Sequence, residues 1–195
     1  MSLSARLVPA AVGPTLSSIG PLAFGPNGVL FAADPNAATI YAIDLGAASS
    51  AVKGTAALPK LDSDIAALLG TAPTEIRIVD LAVHPSSQNS FIAVMRGQGA
   101  DAKPALVRVD GAGKLALVAM DTLTFTSMSL PNPAAVSPSG RGGRTQSVTD
   151  MAFVDAGDGG CRAARPARRH ARGHDHVAEQ GDEPGCVGTS IALQC

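Results

Sequence analysis

The chain has very few aromatic residues. Its 195 residues include no tryptophan, one tyrosine and five phenylalanines, although 46% of the residues are hydrophobic. Alanine, valine and leucine must therefore build most of the core. The length suits a single domain of ordinary size. The 21 glycines and 14 prolines indicate frequent turns, which suit a β-rich chain better than a helical one.

Charge is sparse and nearly balanced. The formal net charge is −1 at pH 7, so no general attraction to nucleic acid or to an anionic membrane is expected. The uncharged stretch 7–33 contains four prolines, which argues against a membrane-spanning helix. The apolar segment after Arg6 is too short and too interrupted for a signal peptide. The compartment therefore stays open, and export would need a signal upstream of residue 1.

Cysteines and recognisable catalytic motifs are absent from most of the chain. The cysteines are Cys161, Cys186 and Cys195, so cysteine usage does not identify the redox compartment. The sequence contains no GxSxG, HExxH, phosphate-loop or dinucleotide-binding motif. We therefore assign no catalytic, cofactor-binding or metal-binding residue from motifs, and we predict no cofactor.

What the sequence does contain is a repeat of short apolar segments. One copy spans 22–45, a second spans 81–110, and a third opens at 150–155. Each full copy has an apolar triplet, a polar turn and two further apolar segments in the same order. Short apolar segments bounded by Gly, Pro, Asn and Ser are typical of strands joined by turns. Repeats of such units hide the apolar face of each unit against the next.

Each full copy predicts four antiparallel strands. The strands expected in the first copy are 22–25, 29–33 and 39–45, with a weaker fourth at 51–58. Those expected in the second copy are 81–83, 91–95, 106–110 and 115–120. The turn Gly25-Pro26-Asn27-Gly28 favours a tight hairpin, because Asn-Gly accepts positive φ angles. Four such strands make one blade of a β-propeller.

The insertion at 61–75 predicts a short helix over 62–69. Asp62 or Ser63 is a candidate N-cap, and Gly70 is expected to end the helix. Ile65, Leu68 and Leu69 share one face by their spacing, so we expect that face to pack on a blade.

The first copy resembles NHL-type and gluconolactonase-like β-propellers. The matching residues are Gly25-Pro26-Asn27-Gly28, then Phe31-Ala32-Ala33-Asp34, then Thr39-Ile40-Tyr41-Ala42-Ile43-Asp44. The resemblance covers about 19–155 and implies an all-β fold: an incomplete β-propeller with two four-stranded blades and the start of a third. Because closed propellers usually have four to eight blades, it implies an arc of a larger protein. The expected divisions are an extension at 1–18, a partial propeller at 19–155 and a tail at 156–195.

The tail differs sharply in composition from the repeats. It has few large apolar residues before Ile191, so we expect it to be disordered, or to be read out of frame. Its histidines and two of its cysteines suggest a zinc site, but no paired CxxC accompanies them, and a fortuitous cluster is favoured. These residues are His170, His174, His176, Cys161 and Cys186. Its basic run, Arg162 to Arg172, is interpreted as solvated charge, because acidic residues follow it and no aromatic residue is present for base stacking.

The resemblance also implies a candidate metal set. Gluconolactonase-like propellers hold a divalent metal in the central channel through acidic and amide side chains. Asp34, Asn36, Asp80 and Asp150 lie at strand ends or starts here. Each could be a cation ligand or could cap a turn by accepting backbone hydrogen bonds, and we favour the cap.

His84 is interpreted as a turn residue, because no nucleophile or acid is identifiable beside it. The loop Arg141-Gly142-Gly143-Arg144 has no phosphate-binding context. The predicted function is a noncatalytic binding or scaffold module for a protein or small-molecule ligand. The alternative is a lactonase- or esterase-like hydrolase that uses a divalent cation.

Overall fold

The structure is a computed structural model that describes residues 13–135, 143–145, 147–154 and 190–194. This part of the chain is mostly β: two four-stranded antiparallel sheets and one two-stranded antiparallel sheet. Its strands are β1 (Leu22–Phe24), β2 (Leu30–Asp34), β3 (Thr39–Asp44), β4 (Ile76–Val83), β5 (Ser90–Arg96), β6 (Lys103–Val109), β7 (Leu115–Leu117), β8 (Thr124–Ser129), β9 (Asp150–Val154) and β10 (Ser190–Gln194). The all-β prediction is confirmed at this level. One α-helix, α1 (Leu61–Leu69), lies within the described residues, and no helix there is long and apolar enough to cross a membrane.

The first sheet has the strand order β1-β2-β3-β8. Strands β1 to β3 follow the predicted segments closely. The turn between β1 and β2 uses positive φ at Asn27 (58°) and Gly28 (73°), as its sequence predicts. Gly28 is also required sterically, since a Cβ there would stand 2.2 Å from His84 Nε2.

The fourth strand of the first sheet is not the predicted segment. Residues 51–58 form no strand, and the outer position beside β3 is taken by β8, which follows the whole second sheet in the chain. The prediction for 51–58 was therefore wrong. That segment is rich in alanine and contains Gly54, which weakens strand formation, whereas β8 carries the strand-favouring Thr124, Phe125 and Thr126. Instead of pairing, the segment crosses the β6–β7 turn, where its backbone contacts Gly111 closely.

The second sheet is a meander with the order β4-β5-β6-β7. Its strands lie where the second repeat predicts them, but β4 begins at Ile76, before the predicted start at Leu81. A bulge interrupts the β4–β5 register between Ile78 and Asp80. Because the extra residue at a bulge shifts the alternation of side chains by one position, Ile78 and Leu81 lie on the same face of the sheet.

The sheets and the helix pack as successive layers. One face of the first sheet packs on one face of the second, through Leu22, Leu30, Ile43, Phe91, Met95 and Leu106. The other face of the second sheet packs on α1, through Ile92, Val94, Val107, Ile65 and Leu69. The other face of the first sheet packs on β9 and the residue leading to it, through Ala23, Ala33, Ile40, Met151 and Val148. The layer order is therefore third sheet, first sheet, second sheet, helix.

The helix differs from its prediction in two details. It begins at Leu61 with Lys60 at the N-cap position and no side-chain cap, so neither Asp62 nor Ser63 caps it. Leu68 is 39% exposed, so it does not share the buried face with Ile65 and Leu69. The C-terminal prediction is confirmed, since Gly70 adopts the left-handed conformation (φ 67°) that ends the helix.

The third sheet contains β9 and β10 paired antiparallel. Strand β9 is the predicted opening of the third repeat. Strand β10 lies in the predicted tail, where no pattern in the sequence indicated a strand. The rest of that tail, 156–189 and Cys195, is outside the described residues.

Candidate functional site

A polar cleft of about 800 Å³ lies where the first strands of the three sheets begin. It forms there because β1 contacts both β4 and β9, so the starts of all three strands come together. Polar lining residues come from all three repeats and from the segments before their first strands: Ser18, Asn36, Thr74, Glu75, Arg77, Asp80, Gln98, Thr145, Thr149 and Asp150. Clefts at the junction of several elements are common ligand sites.

Asp80 lines this cleft and links two sheets. Its Oδ2 accepts a hydrogen bond from the Leu22 backbone N–H (2.7 Å), and its Oδ1 accepts from the Leu81 N–H (2.8 Å). Asp150 stands at the equivalent position of the third repeat. Its Oδ1 accepts from the Met151 N–H in the same way (2.8 Å). Both carboxylates therefore accept hydrogen bonds from backbone N–H groups of the first strands, and both also line the cleft.

Asp34 has a different environment from the other sequence candidates. It is completely buried, and its carboxylate accepts hydrogen bonds from the backbone N–H and hydroxyl groups of Ser17 and Ser18 and from the Ala37 N–H. It therefore ties the segment before β1 to the end of β2. Burial, and secondly the charge of Asp34, raise the pKa of the Tyr41 phenol above its usual value of 10.0.

The remaining lining groups combine hydrogen-bond donors and acceptors. Asn36 and Arg77 are exposed, and Gln98 Nε2 donates to Glu75 Oε1 (3.2 Å). Sequence patterns indicate Asn36, Asp80 and Asp150 as candidates, but they do not indicate Arg77, Glu75 or Gln98. Arg77 and Glu75 lie before the repeat match at Leu81, and Gln98 lies in the β5–β6 loop. Their only sequence signal was proximity to the ends of predicted strands.

The described residues do not fit the metal site that the resemblance implies. Within them, no group of three histidine, cysteine or acidic side chains is close enough to hold a metal ion. Asp34 faces its own hydrogen-bond donors, and it is not a lining residue of the cleft that holds Asn36, Asp80 and Asp150. Each of the three aspartates accepts backbone N–H groups, as the capping interpretation predicts.

His84 has the contacts expected of a turn histidine. It is buried, and its Nδ1 accepts hydrogen bonds from the backbone N–H groups of Ser86 (3.3 Å) and Ser87 (3.0 Å). Its ring packs edge-on against Phe24, with the ring centroids 5.1 Å apart. The imidazole therefore orders the β4–β5 turn and fills space between the first two sheets.

The other candidates fall wholly or partly outside the described residues. The histidines, cysteines and arginines of the tail lie at 161–186 and in Cys195. Arg141 and Gly142 are also outside, whereas Arg144 Nε donates to the Ala134 carbonyl (2.7 Å) and so holds its own loop.

Comparisons of the chain with protein-family models, with curated proteins and with solved structures found no match.

Proposed function

We propose that the protein is a noncatalytic binding module built from propeller-type sheets, and that the cleft between β1, β4 and β9 holds its ligand. The observation that carries this proposal is the convergence of polar groups from three repeats on one cleft of about 800 Å³. A volume of that order is typical of sites for small molecules. In a propeller, the first strands of the blades surround the central channel, and we propose that the cleft corresponds to part of such a channel.

The lining favours a small polar ligand rich in hydroxyl groups. Asn36 and Gln98 offer amides, Thr74 and Thr149 are also lining residues, and Arg77 supplies a cation. Amide and hydroxyl side chains both donate and accept hydrogen bonds, as the hydroxyl groups of such a ligand do. The guanidinium of Arg77 additionally suits a carboxylate on the ligand.

One observation favours the alternative, a hydrolase with a divalent cation. Asp80 and Asp150 come from different repeats and line the same cleft. Against it, Asp80 uses both carboxylate oxygens on backbone N–H groups. A calcium titration separates the two functions, because a cation bound only by the native state raises its melting temperature.

The binding proposal is tested by thermal unfolding with a panel of monosaccharides, polyols and sugar acids at millimolar concentration. A ligand present at ten times its Kd should raise the Tm by about 3–5 °C. The Arg77→Ala variant should lose most of that increase for sugar acids, because it lacks the cation of the cleft.

Arg96→Ala is the matched control, since Arg96 is also exposed but does not line the cleft. It should respond as the unsubstituted protein does. No response to any member of the panel, or an equal response in the Arg77→Ala and Arg96→Ala variants, would contradict the assignment of the cleft.

A further inference from the structure

The first strands of the three repeats carry equivalent triplets with two distinct faces. The triplets are Leu22-Ala23-Phe24, Leu81-Ala82-Val83 and Met151-Ala152-Phe153. Because side chains alternate along a strand, the two large residues of each triplet share one face and the alanine lies on the opposite one. We name these the leading face and the trailing face, respectively.

Both interfaces between sheets use these faces in the same way. Leu22 and Phe24, on the leading face of the first sheet, pack in one cluster with Ala82 on the trailing face of the second. Met151, on the leading face of the third sheet, packs in one cluster with Ala23 on the trailing face of the first. Phe153 adds a stacked contact with Phe31, with ring centroids 6.0 Å apart. The packing therefore runs head to tail, from the third sheet to the first and on to the second.

At each end of this series of sheets, one surface is not covered by another sheet of the described chain, and the two surfaces are complementary. On the leading face of β4, Ile78, Leu81 and Val83 are 41%, 48% and 46% exposed. They lie on the side of the second sheet that α1 covers, since Ile78 and Leu81 pair with Val94 and Ile92, but the helix leaves this strip open. On the trailing face of β9, Ala152 is exposed.

We propose that a second copy of the chain covers both surfaces. The leading strip of β4 in each copy packs on the Ala152 face of β9 in the other. This contact repeats the packing of first strands, β1 with β4 and β9 with β1, that is present twice within one chain. Head-to-tail interfaces generate rings when the rotation closes. The described part of one copy supplies three first strands, so two copies supply six, within the four to eight of closed propellers. This pairing does not depend on what the cleft binds.

The test is the molar mass of the full chain by sedimentation equilibrium over a range of concentrations. We expect twice the 19.5 kDa monomer mass at the highest concentrations, with dissociation on dilution. Leu81→Lys and Ala152→Glu should each remain monomeric, with an unchanged circular dichroism spectrum because both sites are exposed. Met128→Lys is the control, since Met128 is 54% exposed on the far strand β8, and it should dimerise as the unsubstituted chain does.

Mixing the two monomeric variants distinguishes this ring from other dimers. In one interface of the mixed pair, the Leu81→Lys site of one copy faces the Ala152→Glu site of the other, so that opposite charges meet, and the second interface carries neither substitution. The mixture should therefore dimerise. The proposal is overturned by a monomeric unsubstituted chain, by growth beyond a dimer, by a dimer that survives Leu81→Lys or Ala152→Glu, or by a mixture that stays monomeric.

Discussion

At the scale of single residues, buried polar groups hold the segments that lead into and out of the strands. Asp34 accepts hydrogen bonds from Ser17, Ser18 and Ala37. His84 Nδ1 accepts hydrogen bonds from two backbone N–H groups of its own turn. The sequence predicts such roles in general, because Asp and His beside turns commonly accept backbone hydrogen bonds. It does not identify the donors of Asp34, because Ser17 and Ser18 lie in the predicted extension, outside the repeat.

Removing the carboxylate of Asp34 should be costly. The Asp34→Ala variant leaves the N–H and hydroxyl of the buried Ser18, and the donors of the exposed Ser17 and Ala37, without their acceptor. We therefore expect the free energy of unfolding to fall by about 2–4 kcal/mol. Asp44→Ala is the control, because Asp44 is exposed and accepts from the Gly46 N–H (2.9 Å), and its loss should stay within about 1 kcal/mol. Urea unfolding measures both values. Equal losses would show that the hydrogen bonds of Asp34 add little.

At the scale of elements, local patterns predict the positions of eight strands of the described residues, β1 to β7 and β9, and fail where a strand pairs with a partner far away in the sequence. Strands β1 to β3 and β4 to β7 are joined in sequence order, and turn residues such as Asn27 mark their boundaries. Strand β8 pairs directly with β3, although all four strands of the second sheet lie between them in the sequence. No periodicity in 124–129 indicates a partner that far away. Local patterns therefore favour the weaker segment 51–58 for that position, only because it is the next apolar segment in the sequence.

The helix offers a sharp comparison between two adjacent leucines. Leu69 is 9% exposed and packs on the second sheet, whereas Leu68 is 39% exposed. Leu69→Ala should lower the free energy of unfolding by about 2–4 kcal/mol through lost contacts and a cavity. Leu68→Ala should lower it by less than about 1 kcal/mol. Equal effects in urea unfolding would contradict the helix orientation described above.

At the scale of the whole molecule, sequence patterns do not indicate the order in which the repeats pack on one another. The three triplets have the same alternation, so each leading face is chemically compatible with each trailing face. Sequence order alone would place the third repeat beside the second. The structure places β9 against Ala23 of the first sheet. On the corresponding face of the second sheet, α1 covers β5 and β6, and the β4 strip of Ile78, Leu81 and Val83 is exposed. The position of the polar cleft depends on this order.

The rate of thiol labelling at two positions tests this packing order most directly. Single-cysteine variants Ala23→Cys and Val83→Cys, with the native cysteines replaced by serine, are compared at a concentration at which sedimentation equilibrium gives the monomer mass. Ala23 is 8% exposed beneath β9 and Val83 is 46% exposed on β4, so we predict labelling at residue 23 to be at least about tenfold slower than at residue 83. Protection at residue 83 together with fast labelling at residue 23 would place the third repeat on the second sheet and contradict the account.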